Sequence, residues 1–140
     1  MAKLSTDREI LHCIYEMYAA DFRANQKMPD DDVGNRIYLP IDVRAVASKL
    51  GDDPHVLFGR LYYHLAHEYG YKKDDGARVD LFAFKIADQM HCINYPYLAA
   101  ILSDHLSQHT ENTKAFWLSI AALIVSIVSA LATVLPMLSE

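Results

Sequence analysis

The chain of 140 residues is long enough for one domain of ordinary size and too short for two independent ones. Hydrophobic residues make up 52% and charged residues 22% of it, which excludes a disordered or low-complexity chain. The net charge of -5 excludes a protein that coats nucleic acid by bulk electrostatics, because such affinity comes from neutralised phosphates. Two distant cysteines, Cys13 and Cys92, are too few for a disulfide scaffold or a cysteine zinc cage and indicate a reducing compartment.

The first predicted element is an amphipathic helix that starts after Thr6 and ends near Phe22. Thr6 and Glu9 have the spacing of a capping box, in which each side chain accepts a hydrogen bond from the other residue's backbone N–H. Apolar residues follow at helical intervals, so one face is expected to lie in the core. Residues 23–35, which include the acidic triplet 30–32, are predicted to form a solvated polar loop.

A short strand and two helices are predicted next. The strand covers residues 37–39, and a second helix (residues 43–50) starts after an aspartate N-cap and ends at Gly51. A third helix starts after Asp53, with a proline in its first turn, and ends at Gly70. Its predicted buried face consists of Leu57, Phe58, Leu61, Tyr62, Leu65 and Tyr69.

A hairpin follows the third helix. Residues 71–73 and 77–82 flank the turn 74–76, whose Asp-Gly pair is a strong hairpin signal. Residues 87–93 and 96–108 are then predicted to be helical from their apolar spacing. These elements predict a mainly α fold with a small β-hairpin.

Residues 37–84 combine a strand, two helices and a hairpin with local features of a known motif. Val46-Ala47 and Leu50-Gly51 match the apolar contacts, small residue and turn glycine of helix-turn-helix motifs, and residues 68–76 match the junction of recognition helix and wing. This segment resembles the winged helix-turn-helix superfamily, which implies a winged-helix-like domain over residues 1–109. The acidic turn before the third helix departs from the pattern, because a DNA-binding domain usually presents neutral or basic groups there.

A winged-helix domain would bind its partner or DNA through the outer face of the third helix and the wing. Residues 36–85 hold eight basic and seven acidic residues, and Arg60 is the one strong base-contacting side chain on this face. Such a weak basic patch favours a protein partner, with specific DNA binding as the alternative. The candidate contact residues are His55, Arg60, Tyr63, His64, His67, Lys72, Lys73 and Arg78.

The sequence predicts neither an enzyme nor a cofactor. His64 with His67, and His105 with His109, have spacings that place two imidazoles on one helix face, but two ligands do not make a metal site. The chain contains no Gly-rich phosphate loop, no His-Glu-x-x-His and no Gly-x-Ser-x-Gly motif. Both cysteines fall in predicted apolar helices, where buried, inert thiols are usual.

The segment from Ala115 to Leu138 contains 24 residues without a charge. As a helix it spans roughly 36 Å at about 1.5 Å per residue, enough to cross a hydrocarbon core of about 30 Å. Its twelve Leu, Ile, Val and Phe side chains favour insertion. The segment is therefore predicted to be a transmembrane helix in contact with the lipid bilayer. The alternative, a buried helix of a soluble bundle, conflicts with the missing polar face.

The two ends of the chain predict a tail-anchored, single-pass protein. No apolar run follows the first basic residue, so no cleavable signal peptide is expected, and two residues follow Leu138. Lys114 flanks the near end of the span, which by the positive-inside rule places the N-terminal domain in the cytoplasm. Residues 110–114 form a short linker that either breaks the helix or lets it continue into the span.

Small and hydroxylated residues recur along one side of the predicted span at alternating intervals of three and four. Such a stripe lets helix backbones approach in lipid, so a homo-oligomer is expected, with a plain anchor as the alternative. Two further functional hypotheses stay open: a membrane-tethered transcription regulator, and an oligomeric pore lined by the hydroxyl groups. The stripe runs from Ala115 to Pro136, and its predicted packing residues are Ser119, Ala122, Ser126, Ser129 and Thr133.

Overall fold

The computed structural model describes residues 4–27 and 36–137, so the acidic triplet 30–32 lies outside the described residues. The chain divides into two compact units, Met1–Ser103 and Asp104–Glu140. It is mainly helical, with a small antiparallel sheet and one long apolar C-terminal helix. The elements, in chain order, are α1 (Asp7–Asn25), β1 (Tyr38–Pro40), α2 (Val43–Leu50), α3 (Pro54–Gly59), a π-helical segment (Arg60–Leu65), α4 (Ala66–Tyr69), β2 (Tyr71–Lys72), β3 (Arg78–Val79), β4 (Phe82–Ile86), β5 (Gln89–Asn94) and α5 (Tyr95–Met137).

Helix α1 starts with the predicted capping box. The Glu9 backbone N–H donates to Thr6 Oγ1 at 3.2 Å, and the Thr6 backbone N–H donates to Glu9 Oε2 at 2.7 Å. Its apolar face is fully buried at Ile10 and Ile14, as the periodicity predicts. The helix continues to Asn25, so the first residues of the predicted loop are helical.

The predicted N-caps and ends of the next two helices are confirmed. Asp42 Oδ1 accepts hydrogen bonds from the backbone N–H groups that open α2, and Asp53 Oδ1 does the same for α3. Gly51 closes α2 with a φ of 77°, a left-handed conformation that is costly for residues with a side chain. Strand β1 is shifted by one residue from the prediction and ends at Pro40.

The predicted third helix runs from Pro54 to Tyr69, but its middle part, Arg60–Leu65, is π-helical. The Ala66 backbone N–H donates to the Leu61 carbonyl, an i→i−5 bond that widens the helix locally. Leu57, Leu61 and Leu65 are buried as predicted. Tyr62 was expected on the buried face and is 43% exposed, because the extra residue in the π turn displaces side chains from their α-helical positions.

Within the described residues, five short strands form two antiparallel sheets. The predicted hairpin exists as β2 and β3, with Lys72 paired to Arg78 and Gly76 in the turn at a φ of 85°. The other sheet has the strand order β1-β5-β4, so β1 pairs with β5 and not with the predicted hairpin. Phe82 belongs to β4 and pairs with Ile93.

The prediction of a helix over residues 87–93 is wrong. Gln89–Asn94 is strand β5, and Ala87 and Asp88 form a two-residue turn after β4. Ala87 has a φ of 50°. The sequence does not predict this turn, because the turn lacks the Asn-Gly or Asp-Gly pair usual in such hairpins. A short apolar run fits a strand as well as a helix, and pairing with β1 and β4 decides for the strand.

The core of the first unit is closed by the start of α5, where Leu98 is fully buried and Ile101 and Leu102 nearly so. Residues 110–114 are helical, so the helix does not break there and continues into the apolar segment. Within the described part of the chain, α5 is the one helix long and apolar enough to cross a membrane. None of its most apolar window is buried, so the alternative of a buried core helix does not hold for this segment.

Candidate functional site

Arg60, the strongest predicted base contact, is engaged within the first unit. Its guanidinium donates to the Ser5 carbonyl oxygen and to Asp7 Oδ1. His64 Nε2 lies 3.0 Å from Asp7 Oδ2, so Asp7 bridges two candidate residues of the π-helical segment. Arg60 is 28% exposed and ties the first turn of α1 to this segment. Its donors are therefore directed at the protein's own backbone and carboxylate.

Three of the candidate residues line one small cleft. His67, Lys72 and Arg78 surround a volume of about 330 Å³ together with Gly70 and Tyr71. The Arg78 Nε–H donates to Asp80 Oδ1 at 2.6 Å, and this hydrogen bond and the carboxylate charge raise the pKa of Arg78. The cleft therefore presents one cation that has an acidic partner, a second cation and an imidazole.

The remaining candidates are spread over other places. Tyr63 is 75% exposed, His55 lines a second cleft near the start of α3, and Lys73 lies on the β2–β3 hairpin. The sequence analysis placed five of these residues on the outer face of the third helix and Lys72, Lys73 and Arg78 on the wing. The structure instead brings together Arg60 with His64, and separately His67 with Lys72 and Arg78.

An exposed aromatic surface formed by Phe58, Tyr62, Tyr63 and Phe84 was not predicted as a group. The Tyr62 ring lies 5.7 Å from that of Phe58, 5.1 Å from that of Tyr63 and 6.1 Å from that of Phe84, measured between centroids. Tyr62 and Phe84 are each 43% exposed. The four rings come from α3, the π-helical segment and β4, and no local sequence pattern indicates this association.

The second cleft, of about 640 Å³, adjoins this surface through Phe58. His91, on β5, lines it and packs edge to face on Phe58 and Phe84, with centroid distances of 5.5 and 5.4 Å. The sequence prediction missed His91 as a candidate because residues 87–93 were expected to be helical.

The stripe residues of the predicted span lie on α5. Ser119, Ala122, Ser126 and Ser129 are exposed, and Thr133 belongs to the same helix. The Ser119 hydroxyl donates to the Phe116 carbonyl at 2.7 Å, and the Ser129 hydroxyl donates to the Val125 carbonyl at 2.9 Å. Hydroxyls bonded to their own helix in this way are compatible with an apolar environment.

Both thiols are buried, and burial raises the pKa of Cys13 and of Cys92, which keeps them protonated at neutral pH. Cys92 lies on β5 and not on a helix as expected. Over residues 4–27 and 36–137, no three His, Cys, Asp or Glu side chains are grouped to hold a metal ion.

Comparisons with protein-family models, curated proteins and solved structures find no match to this chain. Function must therefore be inferred from the residues themselves. Three features stand out: the exposed apolar helix, the aromatic surface and the two clefts.

Proposed function

We propose that this chain is a non-enzymatic, single-pass membrane protein whose winged-helix-like domain binds a protein partner and whose membrane helix self-associates. The observation that carries the proposal is the contrast between α5 from Ala115 onward, which is apolar and exposed, and a folded unit that presents an aromatic surface. The proposed partners of this helix are the lipid bilayer and the same helix of another copy of the chain.

The membrane assignment rests on the exposure of large apolar side chains. Leu118, Val125 and Trp117 are each at least 65% exposed, and they lie in a helix without charges from Ala115 onward. Water-soluble monomers rarely expose apolar surface of this extent. In a bilayer the same side chains favour insertion, and the helix satisfies its own backbone hydrogen bonds.

The winged-helix interpretation is supported by the order of elements in the first unit. A helix, a strand and two helical stretches precede the hairpin β4–β5, whose second strand pairs with β1. The wing of such a domain would then be the β4–β5 hairpin, and the shorter β2–β3 hairpin would be an insertion before it. The π-helical segment would occupy the middle of the recognition helix.

A protein partner is favoured over DNA because of where the strongest candidate side chains point. Arg60 is bound to Ser5 and Asp7, so the donors of this guanidinium are not directed at a base. Exposed tyrosine and phenylalanine are enriched at protein interfaces, where rigid rings bury large areas at low entropic cost. We therefore place the partner on the aromatic surface.

The test is photo-crosslinking of the full chain in its native membrane, with a photoreactive amino acid at position 63. A discrete protein adduct is expected, and it should disappear when Phe84→Ala removes a neighbouring ring. Lys49→Ala, an exposed change on α2, is the matched control and should keep the adduct. Adducts with lipid alone, or an adduct that survives Phe84→Ala, would contradict the assignment of this surface.

Membrane-tethered DNA binding is the second candidate, and the cleft around His67, Lys72 and Arg78 is the observation that favours it. It predicts salt-sensitive binding that is lost when Lys72, Lys73 and Arg78 are changed together to Glu. Nanomolar, sequence-selective binding by the full chain at physiological salt would replace the protein-partner proposal.

Self-association of the span is tested by substitutions on and off the small-residue stripe. Ser126→Leu places a bulky side chain where two backbones would approach and should reduce association in a transmembrane reporter assay. Val128→Leu, off the stripe, should leave association nearly unchanged. Equal association of both variants would show that the stripe is not the interface. Loss of ion leakage in Ser126→Leu at constant membrane abundance would favour the pore hypothesis.

A further inference from the structure

The larger cleft of the first unit has the dimensions of a small-molecule site. Its volume of about 640 Å³ falls within the range of roughly 300–1,000 Å³ typical of ligand pockets. Its walls come from α1, the first residues of α2 and α3, and β5. Ile41 and Val43 give it an apolar floor, since both line it and are nearly fully buried.

His91 is held in this cleft with one nitrogen unsatisfied. Its Nδ1 is buried and has no hydrogen-bond partner among the described residues. A buried polar atom without a partner costs free energy, and each such atom in a folded protein calls for an explanation. The backbone of His91 has a φ of 57°, a left-handed conformation that is uncommon for residues other than glycine.

The surroundings of His91 fix its ring in place. Its carbonyl accepts a hydrogen bond from the Ile41 backbone N–H at 2.9 Å. The ring stacks on Phe82 at a centroid distance of 6.4 Å and packs edge to face on Phe58 and Phe84. The imidazole is thus held in the wall of the cleft by three aromatic rings.

The charged groups of the cleft leave an excess of donors. The Asp42 carboxylate is compensated, because its Oδ1 accepts from the backbone N–H groups of Arg44 and Ala45. Within residues 4–27 and 36–137, no ion pair involves the side chain of Arg44 or of His55. The cleft therefore combines one guanidinium and two imidazoles with an aromatic wall at Phe58 and an apolar floor.

We propose that this cleft binds a small aromatic carboxylate. The ring of the ligand packs against Phe58 beside His91, and its carboxylate is bound by Arg44 with a hydrogen bond from the exposed imidazole of His55. Guanidinium groups bind carboxylates with strong, charge-assisted hydrogen bonds, which explains the preference for an acid over a neutral analogue. The site shares Phe58 with the exposed aromatic surface, and phenylacetate binding is measured independently of the crosslink at position 63.

The experiment titrates the full chain in detergent micelles with phenylacetate and follows the imidazole signals of His55 and His91 by NMR. Phenylacetamide has nearly the same shape without the charge, and acetate has the charge without the ring. Phenylacetate is expected to give saturable shifts at both histidines, with binding at least about tenfold tighter than that of either analogue. Equal binding of phenylacetamide, or no saturable shift at His91, would overturn the proposal.

Two variants test the residue assignment. Arg44→Gln removes the guanidinium at an exposed position and should weaken phenylacetate binding about tenfold while leaving phenylacetamide unaffected. Lys49→Gln removes a positive charge from the same helix at a residue that does not line the cleft, and it should bind phenylacetate like the wild type. The NMR signals of residues remote from the cleft report whether each variant is folded. A folded Arg44→Gln variant with undiminished binding would contradict the site.

Discussion

Two parts of helix α5, residues 95–103 and residues 115–137, share a helical backbone and differ in the exposure of their apolar side chains. Before Asp104, its apolar residues recur on one side and are buried, with Leu98 fully inaccessible. From Ala115 onward, apolar residues occupy every side, and Leu118 is 71% and Val125 65% exposed. A periodic apolar face is typical of a helix that packs on protein, whereas a helix apolar on all sides is long and apolar enough here to cross a membrane. The number of apolar residues in a helix therefore does not show whether the helix packs on protein or lies in lipid. The distribution of those residues around the helix axis does show it.

The largest expected effect is on the buried part. Leu98→Ala should lower the free energy of unfolding of the first unit by about 2–5 kcal/mol, because a fully buried leucine leaves a cavity. Leu123→Ala, at a position 61% exposed on the same helix, should leave this free energy unchanged. Pulse proteolysis in urea, on the full chain in micelles, measures both. Equal destabilisation by the two substitutions would contradict the conclusion that only the part of α5 before Asp104 belongs to the core of the first unit.

The converse substitution acts on insertion. Val125→Lys places a charge near the middle of the apolar segment, which costs about 2.5–3.5 kcal/mol on the insertion scale. The variant should be partly released from membranes by carbonate, and the wild type should not. Val125→Leu is the control for the change in size. Complete retention of the lysine variant in the carbonate pellet, or release of the wild type, would argue against a spanning helix.

The folded unit depends on specific polar contacts that the apolar segment does not need. Asp42→Ala removes the carboxylate that accepts two backbone N–H groups at the start of α2 and should cost about 1 kcal/mol of unfolding free energy. Asp42→Asn keeps an acceptor and should restore most of it. Ser119→Ala removes a hydroxyl bonded within its own helix and should change neither folding nor insertion measurably. An unchanged free energy of unfolding in Asp42→Ala would show that this N-cap does not stabilise the first unit.

The smallest effect is a stabilisation at the β4–β5 turn. Ala87→Gly relieves a side chain at a φ of 50° and should raise the unfolding free energy by up to about 1 kcal/mol. Urea unfolding of the wild type and of Ala87→Gly measures this change: the midpoint concentration should rise while the dependence of the unfolding free energy on urea stays the same. Ala83→Gly, on the neighbouring strand and without a positive φ, should instead destabilise. A destabilising Ala87→Gly would show that this turn carries no strain.

Local signals predicted much of the fold from the sequence. The capping box at Thr6, the N-caps Asp42 and Asp53, and the terminating Gly51 each act within a few residues, and all are found as expected. The β2–β3 hairpin follows from its Asp-Gly turn. The apolar helix is determined in the same way, since its character depends on composition over a continuous stretch.

The candidate site was decided by contacts that join distant parts of the chain. The Arg60 guanidinium bonds to Asp7, a residue 53 positions away that no local pattern relates to it. The π-helical turn exposes Tyr62, and pairing of β4 with β5 brings Phe84 beside Phe58 and His91. Short strands have little propensity signal of their own, so their pairing partners decide whether they form. The sequence by itself thus determined the capped starts of α1, α2 and α3, the end of α2 and the apolar segment, because those depend on neighbours along the chain. Only the tertiary structure decided which side chains are free to bind, because that depends on packing between elements.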